Sequence, residues 1–216
     1  MKTMLFNFLL FLFFSCHLNA QNDESLWVSL TGEGRTESEL MDKPAPDFCF
    51  RTITGDYIRL SDLEDHVVML VMTKTICKPC WLEMPVINRL AEKYQDEKFV
   101  IIALYGQGTS KGILKTQKFL EEKGKVGRYH EYVAIVPTSY LGNAADGYND
   151  IEARHEDYES VVGPFLQENY KVNSAPSNFL IDRDGTVRDF SSGFQSDREE
   201  EFFDIYSHYI DRLLKN

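Results

Sequence analysis

Cys77 and Cys80 are separated by two residues, a spacing that lets two thiols close a small disulfide ring on the first turn of a helix. At a helix N-terminus, unpaired backbone N–H groups and the macrodipole favour a thiolate, which is the reactive form of cysteine. Lys78 adds a nearby positive charge, and Pro79 suits an early helical position, where the N–H that proline lacks is not needed. The motif therefore predicts thiol–disulfide exchange, with Cys77 as the exposed nucleophile and Cys80 as the resolving thiol.

Two other interpretations of this pair stay open from the residues alone, a zinc half-site and two ordinary core cysteines. Zinc needs two further Cys or His ligands with their own close spacing, and Cys49 stands alone. Four histidines follow the N-terminal segment and are scattered along the chain: His66, His130, His155 and His208. We expect Cys49 to be a buried, inert thiol, and we expect no metal and no cofactor beyond the redox-active disulfide.

The elements around the pair follow a βα pattern. Residues 67–72 and 99–104 are continuous apolar runs of strand length, which is typical of strands buried on both faces. A helix is predicted from about Cys77 to Tyr94, with Leu82, Val86 and Leu90 along one apolar face. The reactive pair is thus expected at the N-terminus of a helix that directly follows a buried strand.

The rest of the chain completes an α/β pattern. Residues 47–50 and 57–60 flank the turn residues 54–56 and predict a β-hairpin. Further helices are predicted at 112–123, 161–170 and 196–214, and further strands at 132–136, 177–181 and 186–190. These elements predict an α/β sheet covered on both faces. A Gly-rich turn after the first strand, which a doubly wound nucleotide-binding fold requires, is missing.

Residues 44–214 resemble the thioredoxin superfamily, and they are most similar to its exported ResA/TlpA-like thiol-disulfide oxidoreductases, a branch related to the AhpC/TSA proteins. The resemblance rests on PAPDF at 44–48, LSDL at 60–63, CKPC at 77–80 followed by Glu83 and Pro85, and APSNFLID at 175–182. It implies a thioredoxin-like α/β fold: a central mixed β-sheet flanked by helices, with an N-terminal β-hairpin extension and an insertion before the strand that follows the cis-proline.

The resemblance also implies roles for residues outside the cysteine pair. Ala175 and Pro176 would form a cis-proline loop that faces the disulfide and binds substrate, together with Lys78 and Pro79; an ordinary trans proline is the alternative. Glu83 would line the active-site cavity and take the proton of the resolving cysteine. The alternative for Glu83 is an acidic residue that complements the helix N-terminus.

Two features depart from the family pattern. The residue before the first cysteine is usually Trp and here is Ile76, whereas Trp81 follows the second cysteine. Two interpretations stay open: Trp81 covers the site from the other side, or the substrate contacts differ from those of the family. Residues 138–158 form a longer connection than usual. Their acidic residues lack the order of a calcium-binding EF-hand loop, so a solvated surface loop is predicted.

The N-terminal segment predicts export. Lys2 precedes a short apolar run at 4–14, and a small residue, Ala20, follows; this resembles a secretory signal peptide and is too short to cross a bilayer. Residues 13–16 also resemble a bacterial lipobox, so lipidation of Cys16 is the alternative to cleavage near Ala20. The predicted organisation is therefore a signal peptide at 1–20, a linker or arm at 21–43 and a thioredoxin-like domain at 44–216.

The charge balance and the predicted export limit the partners. With 34 acidic and 23 basic residues, the net charge is -11, which gives no support for binding to nucleic acid. We expect a periplasmic protein, anchored by lipid if Cys16 is modified. Its partners would be protein thiols and disulfides, together with an upstream thiol-disulfide electron donor.

These inferences lead to one main hypothesis and two alternatives. The main hypothesis is an enzyme that reduces, rather than oxidises or isomerises, the disulfides of exported proteins. A thiol peroxidase of the AhpC/TSA type would carry a Thr or Ser at the position of Lys74 and a Pro at that of Leu70. A copper-binding or interaction module on this fold usually spaces its cysteines one residue wider and adds a nearby His.

Overall fold

The computed structural model describes residues 38–52, 57–74, 77–105, 133–135 and 162–215, all of which lie in one compact unit, Thr36–Asn216. The strands in these residues are β1 (Cys49–Thr52), β2 (Tyr57–Arg59), β3 (Val67–Thr73), β4 (Phe99–Tyr105), β5 (Val133–Ile135), β6 (Ser177–Ile181) and β7 (Val187–Ser192). The α-helices are α1 (Lys78–Lys93), α2 (Val162–Asn169) and α3 (Glu199–Lys215), with short 3-10 helices at Leu60–Leu63 and Ser196–Arg198.

The strands form one mixed sheet in the order β2-β1-β5-β4-β3-β6-β7. β3 runs parallel to β4, and β4 runs parallel to β5, whereas the pairs β1–β2, β1–β5, β3–β6 and β6–β7 are antiparallel. All seven residues of β3 are buried, because this strand lies between two neighbours and is covered on both faces. The predicted α/β fold, the central mixed sheet and the N-terminal hairpin are confirmed.

Alternation along the strands divides the core into two layers. Val68, Leu70 and Met72 of β3 belong to a buried cluster that also contains Ile102 and Phe179. Alternate residues of β3 therefore point to the same face of the sheet. Met69 and Val71 point to the opposite face and are also buried. On that side α1 and α3 pack together, and α3 contacts β3. Helix α1, which starts beside the cysteines, is thereby held near the centre of the sheet through α3.

Strand register places two loops at one end of β3. Met72 pairs with Ser177, so β6 begins beside the point where β3 ends. Helix α1 starts at Lys78, only a few residues after the last residue of β3, Thr73. The start of α1 and the loop before β6 are consequently neighbours, although about 100 residues of sequence separate them.

The apolar face predicted for helix α1 was wrong at one position, Leu82. Leu82 was expected in the core but is 39% exposed, whereas Glu83 is 1% exposed. The buried positions of the helix include Cys80, Met84 and Ile87, and Glu83 lies on the same face because it is three residues after Cys80 and four before Ile87. The periodic pattern favoured Leu82 since an apolar residue is the ordinary choice for a buried position.

The segment before β1 also contacts the sheet. The N–H of Asp42 donates to the carbonyl of Val187 at 2.9 Å, and the N–H of Val187 donates to the carbonyl of Lys43 at 3.0 Å. Leu40 and Met41 pack against the core. The end of the predicted arm therefore covers the outer edge of β7, which would otherwise present unpaired backbone groups. The predicted domain boundaries stay predictions.

Several predictions concern residues outside the described ranges: the signal peptide at 1–20, the hairpin turn at 54–56, Ile76, the helix at 112–123 and the insertion at 138–158. Within the ranges that the structure does describe, no helix has both the length and the apolar character to span a bilayer.

Leu70 and Leu82 provide a matched test of the packing. Leu70 is fully buried in β3, so Leu70→Ala should lower the free energy of unfolding by about 2–5 kcal/mol, because it removes apolar contacts and leaves a cavity. Leu82→Ala removes the same atoms from an exposed position and should cost less than about 1 kcal/mol. Urea denaturation of the disulfide-bonded protein measures both values. Equal losses would contradict the described burial.

Candidate active site

Cys77 is the N-cap residue of α1. Its backbone is extended, with φ -91° and ψ 107°, and helical geometry begins at Lys78. The backbone N–H of Cys80 donates to the Cys77 sulfur at 3.2 Å, so the sulfur occupies the place that a capping oxygen usually takes. Pro79 stands in the first turn, where no intrahelical donor is lost. The sulfur therefore lies at the positive end of the helix, as the sequence predicted.

The two cysteines are joined as a disulfide. Their Cα atoms are 5.3 Å apart, within the usual range for disulfides. Cys77 is half-buried and Cys80 is 2% exposed. An approaching thiol can therefore reach the sulfur of Cys77, while Cys80 is shielded. Lys78 and Pro79, predicted to contact substrate, are both exposed beside Cys77.

The loop before β6 lies against the disulfide. The Ala175–Pro176 peptide bond is cis, as the resemblance implied. The carbonyl oxygen of Ala175 lies 3.3 Å from the Cys77 sulfur. This contact becomes an S–H···O hydrogen bond when Cys77 is a thiol. The structure thus brings Ala175 and Pro176 to Cys77, and their role in binding substrate stays a prediction.

Three serines and a glycine hold this loop to β7. The Ser177 hydroxyl donates to the carbonyl of Ser174 at 3.0 Å, and the hydroxyls of Ser174 and Ser192 are 2.9 Å apart. The N–H of Gly193 donates to the carbonyl of Pro176 at 2.9 Å, with Gly193 at φ +84°, a conformation that favours glycine. Sequence reasoning missed these serines, because they become neighbours only when β6 pairs with β7.

Glu83 lies one turn after Cys80 and is enclosed by protein. The side-chain amide of Asn178 donates to its Oε1 at 2.7 Å, and the hydroxyl of Tyr206 lies 3.3 Å from the same oxygen. Burial raises the pKa of Glu83 to about 7, although the hydrogen bonds from Asn178 and Tyr206 oppose this rise. A carboxyl with such a pKa can both accept and release a proton near neutral pH.

Asn178, Ser191 and Tyr206 surround Glu83 as a buried polar cluster. The Asn178 amide also donates to the Tyr206 hydroxyl at 2.8 Å, and that hydroxyl lies 2.9 Å from the Ser191 hydroxyl. Register explains part of the cluster, because Asn178 on β6 pairs with Ser191 on β7. No sequence motif predicts a role for these three side chains. Asn178 lies within the matched stretch at 175–182, whereas nothing in the local pattern distinguishes Tyr206.

Cys49 is not part of the cysteine pair. Cys49 lies outside the disulfide and is half-buried, which differs from the fully buried thiol expected from its apolar strand. The reason is that β1 lies near the edge of the sheet. Among the residues that the structure describes, no three His, Cys, Asp or Glu side chains are grouped closely enough to hold a metal ion.

This fold and this cysteine pair define a thioredoxin-like protein with a dithiol–disulfide couple at a helix N-terminus. The model of the AhpC/TSA family matches residues 41–190, which is more than half of the sequence. The chain belongs to the AhpC/TSA family. The resemblance found in the sequence is thereby confirmed.

Named relatives agree with this placement. The thiol-disulfide oxidoreductase ResA of Bacillus thuringiensis (strain Al Hakam) is 30% identical over 159 residues, which cover 74% of this chain and 73% of the relative. The thioredoxin-like protein YneN of Bacillus subtilis (strain 168) is 25% identical over 157 residues, which cover 73% of this chain and 74% of the relative.

A solved structure supports the fold. The thioredoxin domain of a thiol-disulfide oxidoreductase from Bacteroides vulgatus superposes with a TM-score of 0.54 at 15% identity, covering 79% of this chain and 97% of that domain. Together with the disulfide, the relatives identify the enzyme class as thiol-disulfide oxidoreductase. The peroxidase alternative is not favoured, since Lys74 and Leu70 occupy the positions where a peroxidase carries its Thr or Ser and its Pro.

The buried carboxyl predicts a pH-dependent stability. Folded Glu83 holds its proton up to about pH 7, whereas the unfolded carboxyl releases it near 4.5, so stability is lost as the pH rises through this window. Glu83→Gln removes that dependence. Relative to the wild type, the variant should gain up to about 3 kcal/mol of unfolding free energy between about pH 4 and pH 8, measured by urea denaturation of the oxidised proteins. A constant difference across this range would contradict the raised pKa.

Proposed function

We propose that this protein reduces disulfide bonds of exported proteins. The observation that supports it most is the asymmetry of the pair: Cys77 is accessible at the helix N-terminus, and Cys80 is sealed beneath it within bonding distance. Such an arrangement favours attack by one defined sulfur and release by the other. Oxidation and isomerisation use the same chemistry in other directions, and the electron donor decides among them.

In the proposed cycle, the thiolate of Cys77 attacks one sulfur of a client disulfide. A bond forms between Cys77 and the client, the client's own S–S bond breaks, and the leaving thiolate takes a proton from solvent. The thiol of Cys80 then loses its proton and attacks the sulfur of Cys77. This step closes the Cys77–Cys80 disulfide and releases the second client thiol, so the client gains two electrons and the protein loses two.

Glu83 is the proposed base for the second step. It lies on the same side of α1 as Cys80, one turn later, and its pKa of about 7 suits proton transfer from a thiol at neutral pH. Cys80 and Glu83 are both buried, so solvent has little access to either group. The alternative role, complementing the helix dipole, is less well supported because Glu83 lies beyond the first turn of α1, and the dipole effect falls off within that turn.

Two sets of residues are proposed to hold the client. Lys78 and Pro79 are exposed on one side of Cys77, and Ala175 and Pro176 lie on the other. A client segment that lies between them would place its sulfur at Cys77. Leu82 is exposed one turn beyond Pro79 on the same helix and extends the apolar surface available to that segment.

The proposed cycle uses no cofactor besides the cysteine pair. After each turn the Cys77–Cys80 disulfide must receive two electrons from a second dithiol, which forms its own disulfide in return. We propose an upstream thiol-disulfide protein of the bacterial envelope as that donor.

Export to the periplasm is proposed from the N-terminal sequence, Lys2 followed by the apolar run at 4–14. Cleavage near Ala20 is the proposed processing, and lipidation of Cys16 is the alternative. Expression in a bacterial host, followed by fractionation and mass measurement of the mature chain, tests both. If cleavage occurs near Ala20, the Cys16→Ser variant should still lose the mass of residues 1–20. An uncleaved chain, or a chain found in the cytoplasm, would contradict export.

Cys80→Ala should trap clients as mixed disulfides on Cys77, because the resolving thiol is missing. Reduced protein is incubated with a disulfide-bonded model protein and analysed by non-reducing electrophoresis and mass spectrometry. The wild type should reduce one model disulfide for each reduced Cys77–Cys80 pair, without a lasting adduct, and Cys77→Ser should show neither reduction nor an adduct. Cys49→Ser is the matched control and should retain this reduction, since Cys49 lies outside the pair. Adducts on Cys49, or reduction of the model disulfide by Cys77→Ser, would contradict the proposal.

A further inference from the structure

Four buried polar side chains from four different elements, one of them Glu83, are linked by hydrogen-bond contacts into one cluster. Glu83 comes from α1, Asn178 from β6, Ser191 from β7 and Tyr206 from α3, and none is more than 3% exposed. Buried polar groups are costly unless they are hydrogen-bonded, so such a cluster constrains the positions of its protons.

The number of hydrogens that Asn178 and Tyr206 can donate limits which hydrogen bonds of the cluster can form at the same time. The Asn178 amide carries two hydrogens, and its two contacts are Oε1 of Glu83 at 2.7 Å and the Tyr206 oxygen at 2.8 Å. The Tyr206 hydroxyl carries one hydrogen but has two acceptors within reach, Oε1 of Glu83 at 3.3 Å and the Ser191 oxygen at 2.9 Å. It can donate to only one of them at a time.

We propose that the Tyr206 hydroxyl is a two-position switch, donating to Glu83 when that carboxyl is ionised and to Ser191 when it is protonated. When Tyr206 donates to Glu83, the Ser191 hydroxyl donates to Tyr206 in turn, and a chain of hydrogen bonds stabilises the negative charge. Tyr206 is thus a positioning residue that sets the pH range in which Glu83 accepts the proton of Cys80. This inference rests on the proposed role of Glu83 as the base.

Tyr206 itself keeps its proton throughout. Burial raises its pKa well above the ordinary range, and the charges of Glu83 and Asp189 act in the same direction. The titratable side chains that the described elements bring to this cluster are Cys80 on α1, Asp189 on β7 and Tyr206 on α3. Asp189 is buried on the same face of β7 as Ser191, two residues away. Asp189 is not substituted in any of the variants described next.

The test measures the resolving step directly. Reduced protein reacts with dithiobis(nitrobenzoic acid), so that Cys77 releases one thionitrobenzoate and carries the other, which Cys80 then releases in a second kinetic phase. The rate of that phase is followed against pH, with Cys49→Ala in every protein to prevent side reactions. Tyr206→Phe removes the donor to ionised Glu83 and should move the midpoint about one pH unit in the alkaline direction.

Ser191→Ala should move the midpoint in the acid direction. In the protonated state the Tyr206 hydroxyl loses its acceptor and is left as an unpaired buried donor, whereas in the ionised state it still donates to Glu83 and its oxygen still accepts from Asn178, so only the weaker bond from Ser191 is lost. Opposite shifts are the result that a merely structural role would not give. Tyr170→Phe is the matched control: it removes another buried hydroxyl, which donates to the carbonyl of Pro46 at 2.6 Å, and should leave the midpoint unchanged. Thermal unfolding checks that every variant is folded.

Glu83→Gln separates the two claims. Loss of the pH step in Glu83→Gln, with opposite shifts in Tyr206→Phe and Ser191→Ala, supports both. If Glu83→Gln abolishes the step but Tyr206→Phe leaves the midpoint unchanged, or both hydroxyl variants shift it in one direction, the switch is wrong and the base remains. If Glu83→Gln has the wild-type profile, the proposed base is wrong and the switch falls with it.

Discussion

The hydrogen bond from the backbone N–H of Cys80 to the sulfur of Cys77 is the interaction on which the site depends. It exists because Cys77 is the N-cap of α1, so that its sulfur meets the unpaired donors and the positive end of the helix. The buried strand β3 fixes where this helix begins, and the register between β3 and β6 brings the Ala175 carbonyl to the same sulfur. The sheet therefore serves mainly to hold one sulfur between a helix terminus and a loop.

Burial of Glu83 is the second constraint, and it opposes stability. A carboxyl enclosed by protein is destabilised when ionised, and hydrogen bonds from Asn178 and Tyr206 offset part of that cost. An apolar residue at this position would pack without polar partners. Through Tyr206, the Glu83 carboxyl links the C-terminal helix to α1, and the proposed proton transfer would use this carboxyl.

Local features were predictable from the sequence, and contacts between distant segments were not. The cysteine pair, the helix that starts beside it and the buried strands at 67–72 and 99–104 each depend on neighbouring residues, and the structure agrees with them. The family resemblance supplied the cis Ala175–Pro176 bond. Periodicity misplaced Leu82 in the core in place of Glu83, because a buried carboxyl is tolerated only through Asn178 and Tyr206, 95 and 123 residues away. No local pattern contains that information.

The most direct test of the central claim is competitive alkylation of the reduced protein. A limiting amount of iodoacetamide is added near neutral pH, and mass spectrometry locates the label on Cys77, Cys80 or Cys49. Because only Cys77 combines access with thiolate stabilisation at the helix N-terminus, it should carry nearly all of the label. Labelling that is evenly distributed, or that favours Cys80 or Cys49, would contradict the account.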